Sequence, residues 1–270
     1  MKDGGNELDK KKKKGKRYKE NSRKNEKTNK NLTSNIILIL FIILFIFSSF
    51  KIIMWFLNNR ENKKIAEEIS QAIIIDEENK EEKDKYKVDF QALKDKNFDT
   101  VGFLKVNGTN IEYTVVKGAN NSYYLKHNFN KESNSAGWIF ADYKNKVDGT
   151  DKNLVIYGHN MRDDSMFGSL KNILNDDWHN EEENKYVTFV TENDNSIYEV
   201  FSVYQVADED YYITTDFKDN EFNDFIKTIK SRSKFDFDVD VNENDNILTL
   251  STCANNNKYR VVLHAKKIKN

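Results

Sequence analysis

Proline is absent from the 270 residues, glycine occurs ten times, and cysteine occurs once, at Cys253. A single thiol cannot close an intramolecular disulfide, so the chain is not built on disulfide staples. No glycine-rich phosphate loop and no internal repeat is present, which argues against nucleotide-cradling loops and repeat architectures. His127, His179 and His264 show no metal-ligand spacing, and neither a cofactor nor a required metal is expected. The stretch DFDVDVNENDN, from Asp236 to Asn246, alternates acids but lacks the glycine and terminal glutamate of an EF-hand calcium loop. A solvated strand and turn is expected there. The missing proline excludes little by itself.

What is present suffices for one ordinary domain with appendages, since 38% of residues are hydrophobic and 13% aromatic, enough for a core. The net charge of -1 hides an asymmetry: residues 1–33 carry thirteen Lys/Arg against five Asp/Glu, a net +8, which leaves -9 for the rest. The continuous run Lys10 to Lys14 has the character of a nucleic-acid arm, but the next segment points elsewhere. From Ile36 to Leu57 the chain reads IILILFIILFIFSSFKIIMWFL. As a helix this run is about 33 Å long at about 1.5 Å per residue, matching a hydrocarbon core of about 30 Å. Its one charge, Lys51, lies near the far end, where the stem can snorkel, and Trp55 suits the interfacial belt. A removable signal peptide has a shorter apolar stretch and a small-x-small cleavage site. The expectation is a basic cytoplasmic tail over residues 1–35 and an uncleaved transmembrane anchor over 36–57. The positive-inside rule places the residues after Leu57 outside the cell, and no nucleic-acid partner is expected.

Beyond the anchor, Ile65, Ile69, Ala72 and Ile73 recur at helical spacing between Arg60 and Ile75, predicting an amphipathic helix packed on the domain that follows. Asp76 to Lys87 is almost devoid of apolar residues and reads as a solvated tether or helix extension. Residues 58–87 are thus expected to be a linker and 88–270 the folded domain. Eight runs of β-character follow: TVGFLKV, IEYTVV, GWIFAD, NLVIYGH, KYVTFVT, IYEVFSVYQV, NILTLST and YRVVLHA, which imply a closed or sandwich-like sheet. MFGSLKNIL, from Met166, breaks the pattern, as does Asp219 to Arg232, where Phe222, Phe225, Ile226 and Ile229 share a helical face.

Cys253 falls at the end of the run ILTLSTC, on the strand face of Ser251. If ANNNKY closes an antiparallel hairpin, Cys253 pairs with Arg260, with Cβ atoms about 5.5 Å apart. A permanently charged guanidinium there lowers a thiol's pKa and can donate to an oxyanion. NLVIYGHN likewise ends on His159, with Tyr157 on the same face. Parallel pairing of the two strands would bring imidazole and thiol to one edge, which spacing alone does not establish. Singly, each residue has a structural alternative: a small core cysteine, a satisfied histidine, a solvated arginine.

The combination resembles the sortase family, class B. TLSTC with the downstream Arg260 is similar to the sortase cysteine signature, NLVIYGHNM to the histidine segment, and NSYYLKHNFN followed by SAGWIFADYKN to the class B pattern between the second and fourth strands. The resemblance covers Phe90 to Lys266. It implies a mainly β fold, an eight-stranded sortase barrel with helical insertions after an N-terminal transmembrane helix. It implies a cysteine transpeptidase that anchors surface proteins to a Gram-positive cell wall. Cys253 would attack the Thr carbonyl of an Asn-Pro-x-Thr-type sorting motif, and a peptidoglycan precursor amine would resolve the thioester. His159 would act as acid and base, and Arg260 would steady the oxyanion. Carried over to the substrate groove are Asn121, Leu125, Tyr157, Tyr212, Ile213 and Ser251.

Papain-like proteases need their cysteine at a helix N-terminus, and the Ser-His-Gly-Cys arrangement of an L,D-transpeptidase is missing. A class C sortase would be expected to carry a proline-containing lid and a second span, whereas this chain has no proline and reads KKIKN at its end. The alternative from another class is a membrane-stalked binding module with a structural cysteine.

Overall fold

Alternating and β-branched runs become strands because each buries one row of side chains, or two where both faces are covered. The computed structural model describes residues 5–75, 85–207, 209–218, 220–253 and 259–268. It divides into two units, one ending at Phe56 and one beginning at Leu57.

In the first unit the chain is helical, part of α1, Gly5–Ser70. The apolar side chains are exposed, as at Phe45 and Ile46. Among the described residues this is the one helix long and apolar enough to cross a membrane.

The second unit begins with the end of α1, whose Ile65 and Ile69 are buried. The helix expected as far as Ile75 stops at Ser70. Three successive β-branched isoleucines suit a strand better than a helix, and Ile73–Ile75 forms β1, antiparallel to β2, Tyr86–Val88. Tyr86, expected in a solvated tether, is buried against Phe103; residues 76–84 of that tether lie outside the described residues. Helix α2, Phe90–Lys96, follows, capped by Asp89 accepting from the Ala92 amide, an ordinary N-cap.

The eight expected runs all form strands: β3 Thr100–Val106, β4 Glu112–Val116, β5 Phe140–Ala141, β6 Asn153–His159, β7 Tyr186–Val190, β8 Asn195–Ala207, β9 Ile247–Cys253 and β10 Tyr259–Lys267. They close a barrel in the order β10-β8-β7-β3-β4-β5-β6-β9. Closure leaves no free sheet edge. Two seams, β4 with β5 and β6 with β9, are parallel; the rest are antiparallel.

Outside the barrel, Gly168–Leu174 forms a 3-10 helix and Asp176–Asn180 the short α3. Helix α4, Glu221–Ser231, buries Phe222, Phe225, Ile226 and Ile229, the face its spacing predicts. Ser202 of β8 donates to the Ile229 carbonyl at 2.7 Å. The Asp236–Asn246 stretch has the expected turn, with Asp245 N bonded to Asn242 O, but no strand. Phe237, Val239 and Val241 are buried while the acids between them are exposed. Lys230 Nζ reaches the Val239 carbonyl at 2.8 Å, so a side chain supplies a bond that a strand neighbour would otherwise provide.

Candidate active site

Strands β6 and β9 run side by side in one direction, in register from Asn153 opposite Ile247 to His159 opposite Cys253. A parallel pair brings both C-terminal ends to one edge. The final residues of two strands nearly a hundred positions apart are therefore neighbours at the barrel rim. On the other side of β9, the antiparallel ladder with β10 reaches Ser251 opposite Val262. Continued by two residues, that register sets Arg260 opposite Cys253. The ANNNK portion of the connecting loop, residues 254–258, lies outside the described residues.

His159 is half-buried, and its Nε2 lies 2.8 Å from the Leu125 carbonyl oxygen. A carbonyl only accepts, so Nε2 carries a proton, and the basic nitrogen of the neutral ring is Nδ1. Gly137 packs against this ring. Its φ is +58°, and a Cβ there would fall 2.4 Å from the Tyr124 oxygen and 3.1 Å from His159 Cδ2. Only glycine fits this backbone conformation so close to the imidazole.

Beside the rim opens a cleft of about 530 Å³ whose lining includes Asn121, Leu125, Tyr157, Tyr212, Ile213 and Ser251 together with Arg260. The six positions that the resemblance assigns to a substrate groove thus share one cavity. Tyr157 and Ser251 are register partners across β6 and β9, and the Tyr212 hydroxyl lies 3.0 Å from Ser251 Oγ. Tyr157 donates to Asp142 Oδ2 at 2.8 Å, and Asn121 Nδ2 donates to the same oxygen at 2.7 Å. Burial, then the Asp142 charge, push the Tyr157 phenol above its ordinary range, with Arg260 acting against them. This phenol remains a donor at neutral pH.

Sequence reasoning missed three lining residues, Phe140, Glu209 and Asp210. Phe140 is the register partner of Tyr157, a relation visible only once β5 and β6 are paired. Glu209 and Asp210 directly precede Tyr211–Ile213, a 3-10 turn; their adjacency to Tyr212 was the available signal. Glu209 pairs with Arg232 at 3.0 Å, and that guanidinium lies 4.2 Å from the Tyr211 ring centroid. The end of α4 thereby holds the turn that aims Tyr212 and Ile213.

Behind this wall runs a buried polar chain. Thr249 Oγ1 donates to Asn153 Oδ1 at 2.6 Å and lies 2.8 Å from His264 Nδ1, while the Tyr204 hydroxyl lies 2.8 Å from His264 Nε2. With the threonine proton committed to Asn153, His264 donates through Nδ1 and accepts Tyr204 at Nε2. Tyr211 donates to Tyr204, and Asn153 Nδ2 donates to the Thr214 carbonyl. His127 and His179 are stacked on Tyr123 and Phe235. Among the described residues no group of three His, Cys, Asp or Glu is arranged to hold a metal ion.

Such a barrel, with cysteine and histidine ending parallel strands beside a peptide-sized cleft, has the layout of a cysteine acyltransferase. A family model described as a sortase domain matches residues 104–268. Sortase B of Listeria monocytogenes is 33% identical over 228 residues, covering 82% of this chain and 91% of that protein. The structure of Clostridium perfringens sortase B is 43% identical with a TM-score of 0.63, covering 67% of this chain and 100% of that one. Sortase B from Bacillus anthracis, solved in complex with AAEK1, is 35% identical with a TM-score of 0.69, covering 80% and 100%. The chain belongs to the sortase family of cysteine transpeptidases. Within that family its relatives are of class B, and the binding-module alternative gives way to an enzyme.

Proposed function

We propose that this enzyme cleaves surface proteins after the threonine of an Asn-Pro-x-Thr-type sorting motif and transfers them to a peptidoglycan amine. The observation that carries the reading is the parallel register of β6 and β9, which pairs His159 with Cys253 at the rim, beside the cleft that Arg260 lines. The Cys253 thiolate attacks the threonine carbonyl carbon, and the electron pair moves to the oxygen. Arg260 stabilises that oxyanion. On collapse the C–N bond breaks, His159 gives a proton to the leaving amine, and a thioester remains. The incoming amine attacks the thioester, loses its proton to His159, and expels the thiolate. Because Nε2 is committed to the Leu125 carbonyl, Nδ1 is the atom through which the proton passes.

The apolar part of α1 is read as a single membrane anchor, with the Lys/Arg-rich tail inside and the barrel outside, in keeping with the charge asymmetry. Replacing Cys253 with Ala is expected to abolish peptide cleavage and thioester trapping while leaving the fold intact. Turnover near wild type in that variant would refute the nucleophile assignment.

A further inference from the structure

The last turns of α1 do more than cover the barrel. Asn62 is 1% exposed and donates from Nδ2 to the Gly137 carbonyl at 2.9 Å. Gly137 is the residue whose backbone lies against the His159 ring. One helical turn earlier, Asn59 donates to Asp163 Oδ2 at 2.9 Å. Asp163 sits in the loop leaving His159, whose carbonyl accepts from the amides of Met161 and Phe167. Alongside these two ties, Asn134 Nδ2 donates to the Asn58 carbonyl and to Glu61, each at 3.2 Å, while its backbone amide donates to the Lys126 carbonyl. The helix therefore grips the segment before the ring and the loop after it. Leu125, which accepts from His159 Nε2, is flanked by backbone bonded to this gripped segment, through Trp138 N to Tyr124 O and Asn134 N to Lys126 O.

We propose that Asn59 and Asn62 are positioning residues that hold His159 in its proton-transferring orientation; this rests on the acid–base reading of His159 given above. The amide oxygens of both residues are buried and accept from no protein group among the described residues. A buried acceptor without a protein partner costs stability, and at Asn62 an apolar side chain would exchange that orphan oxygen for an orphaned Gly137 carbonyl, leaving the net stability near balance. Local rules are broken in this way at functional sites, and these two amides, unlike the similarly unpartnered Thr114 and Thr188 hydroxyls, hold the segments around His159. What the amides secure is the direction of their nitrogens, toward Gly137 and Asp163.

The test uses the full-length chain in detergent micelles and a quenched Asn-Pro-x-Thr peptide pool with x varied over all residues. Asn62→Leu keeps side-chain bulk and deletes both the donor and the orphan oxygen. The expected result is a fall in kcat of about 10-fold to 10²-fold, the scale of an ångström-sized misplacement of a reacting group, with KM and Tm near wild type. Unchanged kcat in the folded variant overturns the proposal, as does a fall in kcat accompanied by a raised KM and a lowered Tm, which marks a general structural role. If Asn62→Leu does not fold, Asn59→Ala, which frees only the Asp163 loop, decides by the same criteria. His159→Ala runs alongside: an active His159→Ala enzyme refutes the acid–base reading itself. An inactive one beside wild-type Asn62→Leu and Asn59→Ala refutes only the positioning role.

Discussion

His264 makes acid stability a quantitative test of the barrel. It is fully buried, its two hydrogen-bond partners are the neutral hydroxyls of Thr249 and Tyr204, and burial holds its imidazole down to about 3 from an ordinary 6.5. In the unfolded chain the ring protonates as pH falls through about 6.5, while in the folded protein it stays neutral. The unfolded state then binds more protons, so stability drops with falling pH. Each pH unit below the unfolded value costs about 1.4 kcal/mol, so stability at pH 5 is about 2 kcal/mol lower than at pH 7.5 from this group alone. At an m-value of about 2 kcal/mol/M that is roughly a 1 M shift in urea midpoint. For Asp194, burial pushes the carboxyl up, but Lys267 and Ser196 outweigh it and hold the group below its ordinary range. The stability it contributes is lost only at pH values below about 4, outside this window. The assay is urea unfolding at pH 7.5 and pH 5 of a chain beginning at Leu57, as wild type and as His264→Gln. The variant is expected to lose about 2 kcal/mol less than wild type between the two pH values. Equal pH dependence in both would refute the neutral, hydroxyl-wired histidine.

Arg260→Lys keeps the charge but loses the planar fork of donors. Turnover of a sorting peptide is expected to fall by about 10²-fold or more while Cys253 alkylation stays near wild type; a joint fall would assign Arg260 to thiol tuning instead, and no change would remove it from the site. Gly137→Ala forces a side chain into a left-handed conformation, costing about 1–3 kcal/mol, and drives a Cβ toward the Tyr124 carbonyl and the His159 ring. A lower Tm with an even larger loss of turnover is expected, and wild-type Tm and turnover would contradict the close packing at that ring.

Where no pairing competes, the local period of apolar residues determines whether a segment folds as strand or helix, because the pattern that buries one face is written in neighbouring residues. That is why all eight barrel strands, the buried face of α4 and the anchor-like run were legible, and why Cys253 and His159 could be assigned to strand ends. Where local preference competed with pairing, it misled. Ile73–Ile75 continues a helical pattern but finds β2 as a partner, while Phe237, Val239 and Val241 alternate like a strand yet pair with none. The motif resemblance named Tyr212 and Ile213, but not Glu209 and Asp210 beside them, since the aim of a 3-10 turn depends on Arg232 of another element. The grip of Asn59 and Asn62 on the segments around His159 left no trace in the periodicity of α1. Above all, only the tertiary structure decided that β6 and β9 are parallel neighbours. Their hydrogen bonds link residues about 94 positions apart, and such a pairing is selected by barrel closure as a whole, through contacts that no local pattern encodes.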